Sequence, residues 1–308
     1  MDPLSDVLSL LKMHSYACGG FDVGGDLCLQ FGKHAGIKCY ALVSGAAWLS
    51  IEGVADPVQL KAGDCFVLPH GRPFCLATAL GLPPVDFRTL RGDAKIGTVV
   101  SYSGGGKFFI VGGHFALSAN HASILLAALP PFVHLQKQSD KAVLRWSIER
   151  LMDELREPQP GGGLIAQHLA HTMLLQALRL HLSDGSQGRV GWLFALADKQ
   201  VGAAITALHE APGHRWTVQE LAERSGMSRS VFAQRFKDTV GESPMEYLTR
   251  WRMLLAGEKL VNSTEPVSVI SLALGYESEA AFSTAFRRVM GCSPRQYGRA
   301  DQLGSTSH

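Results

Sequence analysis

The chain has 308 residues, a formal net charge of +2 and 46% hydrophobic residues. That length and apolar content exclude wholesale disorder and leave room for two domains, while the near-neutral balance argues neither for nor against nucleic acid. No apolar run reaches a membrane span, and the opening "MDPLSDVLSLLKMH" lacks the basic, apolar, small-residue order of a signal peptide, so the expected location is cytoplasmic, with no membrane partner.

From about residue 18 to 118 the chain is rich in glycine and in short apolar runs cut by turns. "IKCYALVSGAAWLSIEG" reads as strand, glycine turn, strand. "GDCFVLPHGRPFCLA" reads as strand, Pro/Gly turn, strand, and "KFFIVGGHFAL" continues the pattern. Many short strands punctuated this way predict a β-barrel or jelly roll. Five of the six cysteines fall here: Cys18, Cys28, Cys39, Cys65 and Cys75. None forms a C-x-x-C pair, so zinc and thioredoxin-like readings lack support. They read either as buried filler or as sensors of oxidants and electrophiles.

From about 121 to 183 the period becomes helical. "DKAVLRWSIERLMDELRE" places Leu144, Ile148, Leu151 and Leu155 on one stripe, and "EPQPGGG" stops that helix. The next helix, "LIAQHLAHTMLLQALRLHL", is apolar around much of its girth and must be covered on several sides, by the barrel, the preceding helix or a second chain. "SDGSQGRVG" reads as a linker.

From about 192 onward the chain reads as short helices. In "TVQE", Thr217 and Glu220 have the spacing of a capping box. A phrase is then written twice. "FKDTVGESPMEY" begins at Phe236 and "FRRVMGCSPRQY" at Phe286. At this offset Ser228 pairs with Ser278, Phe232 with Phe282, Gly241 with Gly291, Pro244 with Pro294 and Tyr247 with Tyr297. Upstream the register slips by one, so Gly226 pairs with Gly275. Each copy predicts a helix, a glycine turn, a serine N-cap and a second helix whose two phenylalanines, four apart, face the core. The predicted helices are 218–225 and 229–238, then 267–273 and 279–288. Small Ala222 and Ser271 sit four residues before the turn glycines, where two helices approach closely. "SPMEYLTRWRMLLAGEKLVN" reads as one stiff helix between the copies. Two helix-turn-helix units on one rigid body suit successive major grooves of double-stranded DNA.

With these residues in view, 200–298 resembles the DNA-binding domain of AraC-type (AraC/XylS) transcriptional regulators. The match is carried by "WTVQELAERSGMSRSVFAQRFKDTVGESPMEYL" and "VISLALGYESEAAFSTAFRRVMGCSPRQY". "KAGDCFVLPHGRPF", "GGHFAL", "LLAALPPFVHL" and "GWLFALADKQVGAAITALHEAPGHRWTVQELA" resemble the cupin-type sensor of one subgroup. The resemblance implies an α+β multidomain chain: a cupin-like β-barrel sensor over 1–120, a helical linker and dimerisation segment over 121–190, an all-α domain with two helix-turn-helix motifs over 191–300, and a disordered tail over 301–308. It implies a sequence-specific activator, homodimeric, working with RNA polymerase and answering to a small-molecule or redox effector. Carried over by position, Ser230, Ala233, Gln234, Glu279, Ala280 and Thr284 would meet base edges, and Arg229, Arg235, Lys237, Arg287 and Arg288 would hold phosphates. The second helix is the poorer in strong donors, so the first is expected to carry more discrimination.

Cupin barrels often bind a metal, but here Gly63, Pro69 and Gly71 fit the second motif while Phe74 stands at its histidine position, and the first motif's His-x-His is absent. No cofactor, no metal and no catalytic residues are therefore expected. His34, His70 and His114 lack ligand spacing. Trp48, Phe66 and Phe74 are candidate lining for an effector pocket, the alternative being core packing. Two rival readings are a cupin-type enzyme with a DNA-binding tail and a constitutive DNA-binding dimer.

Overall fold

The computed structural model describes residues 2–10, 13–91, 97–117, 126, 129–183 and 190–304. The chain divides into two compact units, one of Met13–Ser118 with Leu129–Asp184, the other of Met1–Lys12, Ala119–Ala128 and Gly185–His308.

The first unit is a curled sheet with ten described strands: β1 (Met13–Val23), β2 (Cys28–Phe31), β3 (Ile37–Ile51), β4 (Val58–Lys61), β5 (Cys65–Leu68), β6 (Phe74–Ala77), β7 (Pro84–Asp86), β8 (Val99–Tyr102), β9 (Phe108–Leu117) and β10 (Val133–Leu135). The main path runs β7-β2-β6-β3-β9-β1-β8, antiparallel except at β2–β7 and β1–β8. The glycine turn expected inside "IKCYALVSGAAWLSIEG" is not a turn. β3 runs through it as one strand of 15 residues, and its register against β9 shifts between Leu42 and Ser44. This bulge reverses the side-chain phase. Tyr40 and Leu42 point inward before it, Ala47, Leu49 and Ile51 after it. Phe66, Phe74 and Phe108 fill the core with them.

Two helices close this unit. In α3 (Gln138–Arg156), numbered after α1 (Pro3–Leu10) and α2 (Phe87–Arg91), the predicted stripe of Leu144, Ile148, Leu151 and Leu155 is buried. The apolar girth of α4 (Gly162–Ser183) is covered by α3 and by the strands β1, β3, β5, β9 and β10. Asp64, 3% exposed, ties these layers together: it accepts from Lys141 Nζ at 2.7 Å, from His134 Nε2 at 3.0 Å and from the Lys61 amide at 2.9 Å. Burial would raise its carboxyl, but these bonds hold it below the usual carboxylate range.

The second unit is helical: α5 (Trp192–Ala195), α6 (Lys199–Glu210), α7 (Val218–Arg224), α8 (Arg229–Val240), α9 (Pro244–Asn262), α10 (Val267–Ala273), α11 (Glu279–Met290) and α12 (Pro294–Gly304). α1 belongs to it. Asp6 Oδ2 lies 3.3 Å from Nδ1 of buried His209, whose ring stacks on Trp251 at 3.9 Å and whose Nε2 accepts from the Tyr247 hydroxyl at 2.8 Å. Burial pushes His209 down to about 3, so it stays neutral. α12 covers residues 301–304 of the stretch expected as a tail; 305–308, and most of the expected linker "SDGSQGRVG", lie outside the described residues.

Candidate nucleic-acid interface

The repeat in the sequence is a repeat in space. Phe232 and Phe236 are fully buried, and Tyr247 meets Phe236 edge-on at 5.9 Å; Phe282, Phe286 and Tyr297 repeat the arrangement at 5.5 Å. Ala222 and Ser271 are buried where expected. Gly226 and Gly275 make the turns with φ of +64° and +78°, the left-handed region that glycine enters without strain. At Gly275 a Cβ would also stand 2.4 Å from the Gly213 carbonyl oxygen. Ser243 and Glu246 form a complete capping box with Pro244 at the first turn of α9, and Ser293 with Gln296 repeats it on α12.

Two caps differ from their sequence reading. Thr217 does accept from the Glu220 amide at 3.1 Å, but the Glu220 carboxylate turns to His214 Nε2 at 3.0 Å instead of back to Thr217. Ser228 stands at the N-cap of α8 without making a cap bond; its Oγ lies 3.5 Å from Ser230 Oγ. Ser278 does cap α11, accepting from the Ala281 amide at 3.2 Å.

With their phenylalanines inward, α8 and α11 turn the other side outward. Ser230 and Gln234 are exposed and Ala233 is half-buried; Glu279, Ala280 and Thr284 are all exposed. Gln234 Nε2 donates to Asp238 at 2.8 Å, and Thr284 Oγ1 donates to the Ala280 carbonyl at 3.0 Å. Arg229, Lys237, Arg287 and Arg288 are exposed cations on the same two helices. Arg235 is exposed too, but its guanidinium donates twice to Asp198 Oδ2, at 2.7 and 3.1 Å. Asp198 also caps α6, accepting from Gln200 and Val201 amides. Burial works against its charge, but Arg235 and these amides hold the carboxyl low.

Residues 2–183 match the cupin family and residues 221–300 a helix-turn-helix domain family. A putative AraC-like transcription regulator of Streptomyces antibioticus is 39% identical over 96% of this chain and 98% of its own. The chain belongs to the AraC-type transcription regulators. The regulator AlkR of Acinetobacter baylyi is 31% identical over 96% of this chain and 99% of its own, and RclR of Escherichia coli, an RCS-specific transcriptional activator, 30% over 95% and 96%.

In this AraC-type regulator the barrel holds a partly open cavity of about 160 Å³. Trp48, Phe66 and Phe74 are not among its lining residues. Phe66 and Phe74 are core, and Trp48, half-buried, is out of phase with the core positions Ala47 and Leu49. All six cysteines are free thiols, four of them buried. Cys39 and Cys65 lie 3.9 Å apart at sulfur. Burial raises the Cys18 and Cys39 thiols, and burial with Cys75 beside it raises Cys28 to about 11. Among the described residues no group of three His, Cys, Asp or Glu side chains could hold a metal ion. His34 Nδ1 and His114 Nε2 share the Ala35 carbonyl, while His70 Nε2 donates to the Leu129 carbonyl at 2.8 Å. Among the described residues no helix is long and apolar enough to cross a membrane.

Proposed function

We propose that this regulator activates transcription as a cytoplasmic homodimer, with α8 and α11 of each chain in successive major grooves and an effector in the barrel setting its activity. The carrying observation is the doubled unit: two helices with equivalent phenylalanines buried and equivalent polar faces exposed, both packed on α9. At 19 residues α9 is a rod of roughly 28 Å, commensurate with the ~34 Å between successive major grooves. Ser230, Ala233 and Gln234 are assigned to bases on one side, Glu279, Ala280 and Thr284 on the other, and Arg229, Lys237, Arg287 and Arg288 to phosphates. Arg235 joins them only by leaving Asp198.

RclR is named as an activator, which supports that sign and RNA polymerase as a partner. Val143 and Trp146 stand 48% and 62% exposed on α3, away from its buried stripe, and supply an apolar face for pairing two chains. Thiols held protonated by burial favour a small-molecule effector over a redox one. The relatives are regulators, and the reading is of a binding protein with no catalytic role. Selection of bound sequences from a random DNA library by the full chain should recover two preferred blocks one helical turn apart per half-site. Recovery of a single block, or of none, contradicts the tandem reading.

A further inference from the structure

The inner face of the barrel holds a charge that no carboxylate among the described residues balances. Ahead of the bulge, Lys38, Tyr40 and Leu42 of β3 stand opposite His114, Gly112 and Ile110 of β9. β1 extends the same floor, with Ala17 opposite His114, Gly19 opposite Gly112 and Phe21 opposite Ile110. Ala17, Gly19 and Gly112 put almost nothing above this floor, and the cavity of about 160 Å³ lies over them. An apolar cavity of about that size accepts a benzene ring. Gly112 can carry no side chain: a Cβ there would stand 2.2 Å from the Cys39 carbonyl oxygen and 2.5 Å from the Tyr40 ring. Phe31, Leu76 and Phe87 give the cavity an apolar wall, with Tyr40, Thr98 and His114 as polar lining beside Lys38.

Lys38 lines this cavity and is only 8% exposed. Its Nζ lies 4.8 Å from the centre of the Phe31 ring and 5.1 Å from that of Phe74, two rings stacked on each other at 4.4 Å. Ring faces attract a cation but do not neutralise it. Among the described residues no hydrogen bond or ion pair reaches the amine, and no carboxylate lines the cavity. Burial pushes the amine down to about 8. Burial first, and the Lys38 charge with it, pushes the neighbouring His34 down to about 4; burial likewise lowers His114 against the opposing Ala35 carbonyl bond, and an imidazole in either state offers the ammonium no negative charge. A buried ammonium without an anion is costly, and a ligand carboxylate placed beside it removes that cost.

We propose that the barrel cavity binds a small apolar monocarboxylate, its carboxylate paired with the Lys38 ammonium and its hydrocarbon body on the glycine floor between Phe31, Leu76 and Phe87. This deepens the effector reading above and rests on it for its regulatory meaning. Isothermal titration of the full chain with hexanoate and cyclohexanecarboxylate, each against its matching alcohol, tests the site. The acids should bind wild type at least about tenfold more tightly than the alcohols. Lys38→Met should abolish that preference, with a melting temperature no lower than wild type showing that it folds. Equal binding of acid and alcohol to wild type, no binding of either acid, or a preference that survives Lys38→Met overturns the site. Footprinting with and without hexanoate separates this from effector control. Lys38-dependent binding that leaves DNA protection unchanged upholds the site and overturns control by it. A compound that shifts protection equally in wild type and Lys38→Met, with no preference for acids, upholds control and overturns the site.

Discussion

Lys38→Met should stabilise the barrel. The amine is buried and its pKa falls from 10.5 to about 8, a penalty of about 3 kcal/mol on the charged form at neutral pH. The faces of Phe31 and Phe74 return about 1 kcal/mol. Methionine keeps most of the stem and removes the charge, so the net gain is about 2 kcal/mol, or roughly 30-fold in the opening equilibrium. The sign with pH follows from linkage. The folded pKa lies below the unfolded one, so between about 8 and 10.5 the unfolded chain holds more protons, and wild-type stability rises with pH through that window. The advantage of the variant is therefore full below pH 8 and shrinks above it. Native-state hydrogen exchange of β3 and β9 amides, with variant and wild type compared at pH 6.5 and again at 8.5, reads barrel opening without the second unit. Slowing by roughly 30-fold at the lower pH and by less at the higher one is expected. Equal or faster exchange in the variant would mean that the ammonium is already neutralised and has no need of a ligand carboxylate.

Gln234→Ala should relax base preference at one position of the site, by about 1–3 kcal/mol of discrimination, in a competition assay against single-base variants. Arg287→Ala should weaken all sequences alike and lower the salt slope by about one, so a change in the preferred sequence would unseat its phosphate assignment. Asp64→Ala strips Lys141 and His134 of their buried partner and should cost about 3 kcal/mol in urea unfolding. His209 is held at about 3 against an ordinary 6.5, so acid favours the unfolded chain. Melting of the second unit should fall by about 1.4 kcal/mol per pH unit below 6.5, and His209→Gln should flatten that slope.

The helical half was legible because its signals are local and doubled. Phe232 with Phe236, Gly226 and Ser243-Pro244 each carry meaning within a few residues, and their partners fifty residues on repeat it. Most helix boundaries fell within two residues of their expected places. Caps were harder. Glu220 has the spacing of a capping box, but His214 competes for its carboxylate, and that contest is decided by the fold. In the barrel, alternation read straight through β3 puts Trp48 in phase with Tyr40 and Leu42. One extra residue near Ser44 undoes it, and a bulge leaves little trace in sequence beyond Gly45. Lys38 carries a faint signal of its own: a lysine alternating with Tyr40 and Leu42 inside an apolar strand has to be buried or to snorkel. The place of α1 beside His209 rests on a contact 203 residues apart, which no local pattern announces.

Two equivalent helices of one chain are proposed to read two successive grooves. Hydroxyl-radical footprinting of the full chain, at stated salt, on the DNA flanking its own gene tests this most directly. Two protected blocks about 10 base pairs apart on one face of the duplex, for each bound chain, are the predicted result. Protection of a single groove per chain, with the second block missing on every site bound, would contradict it.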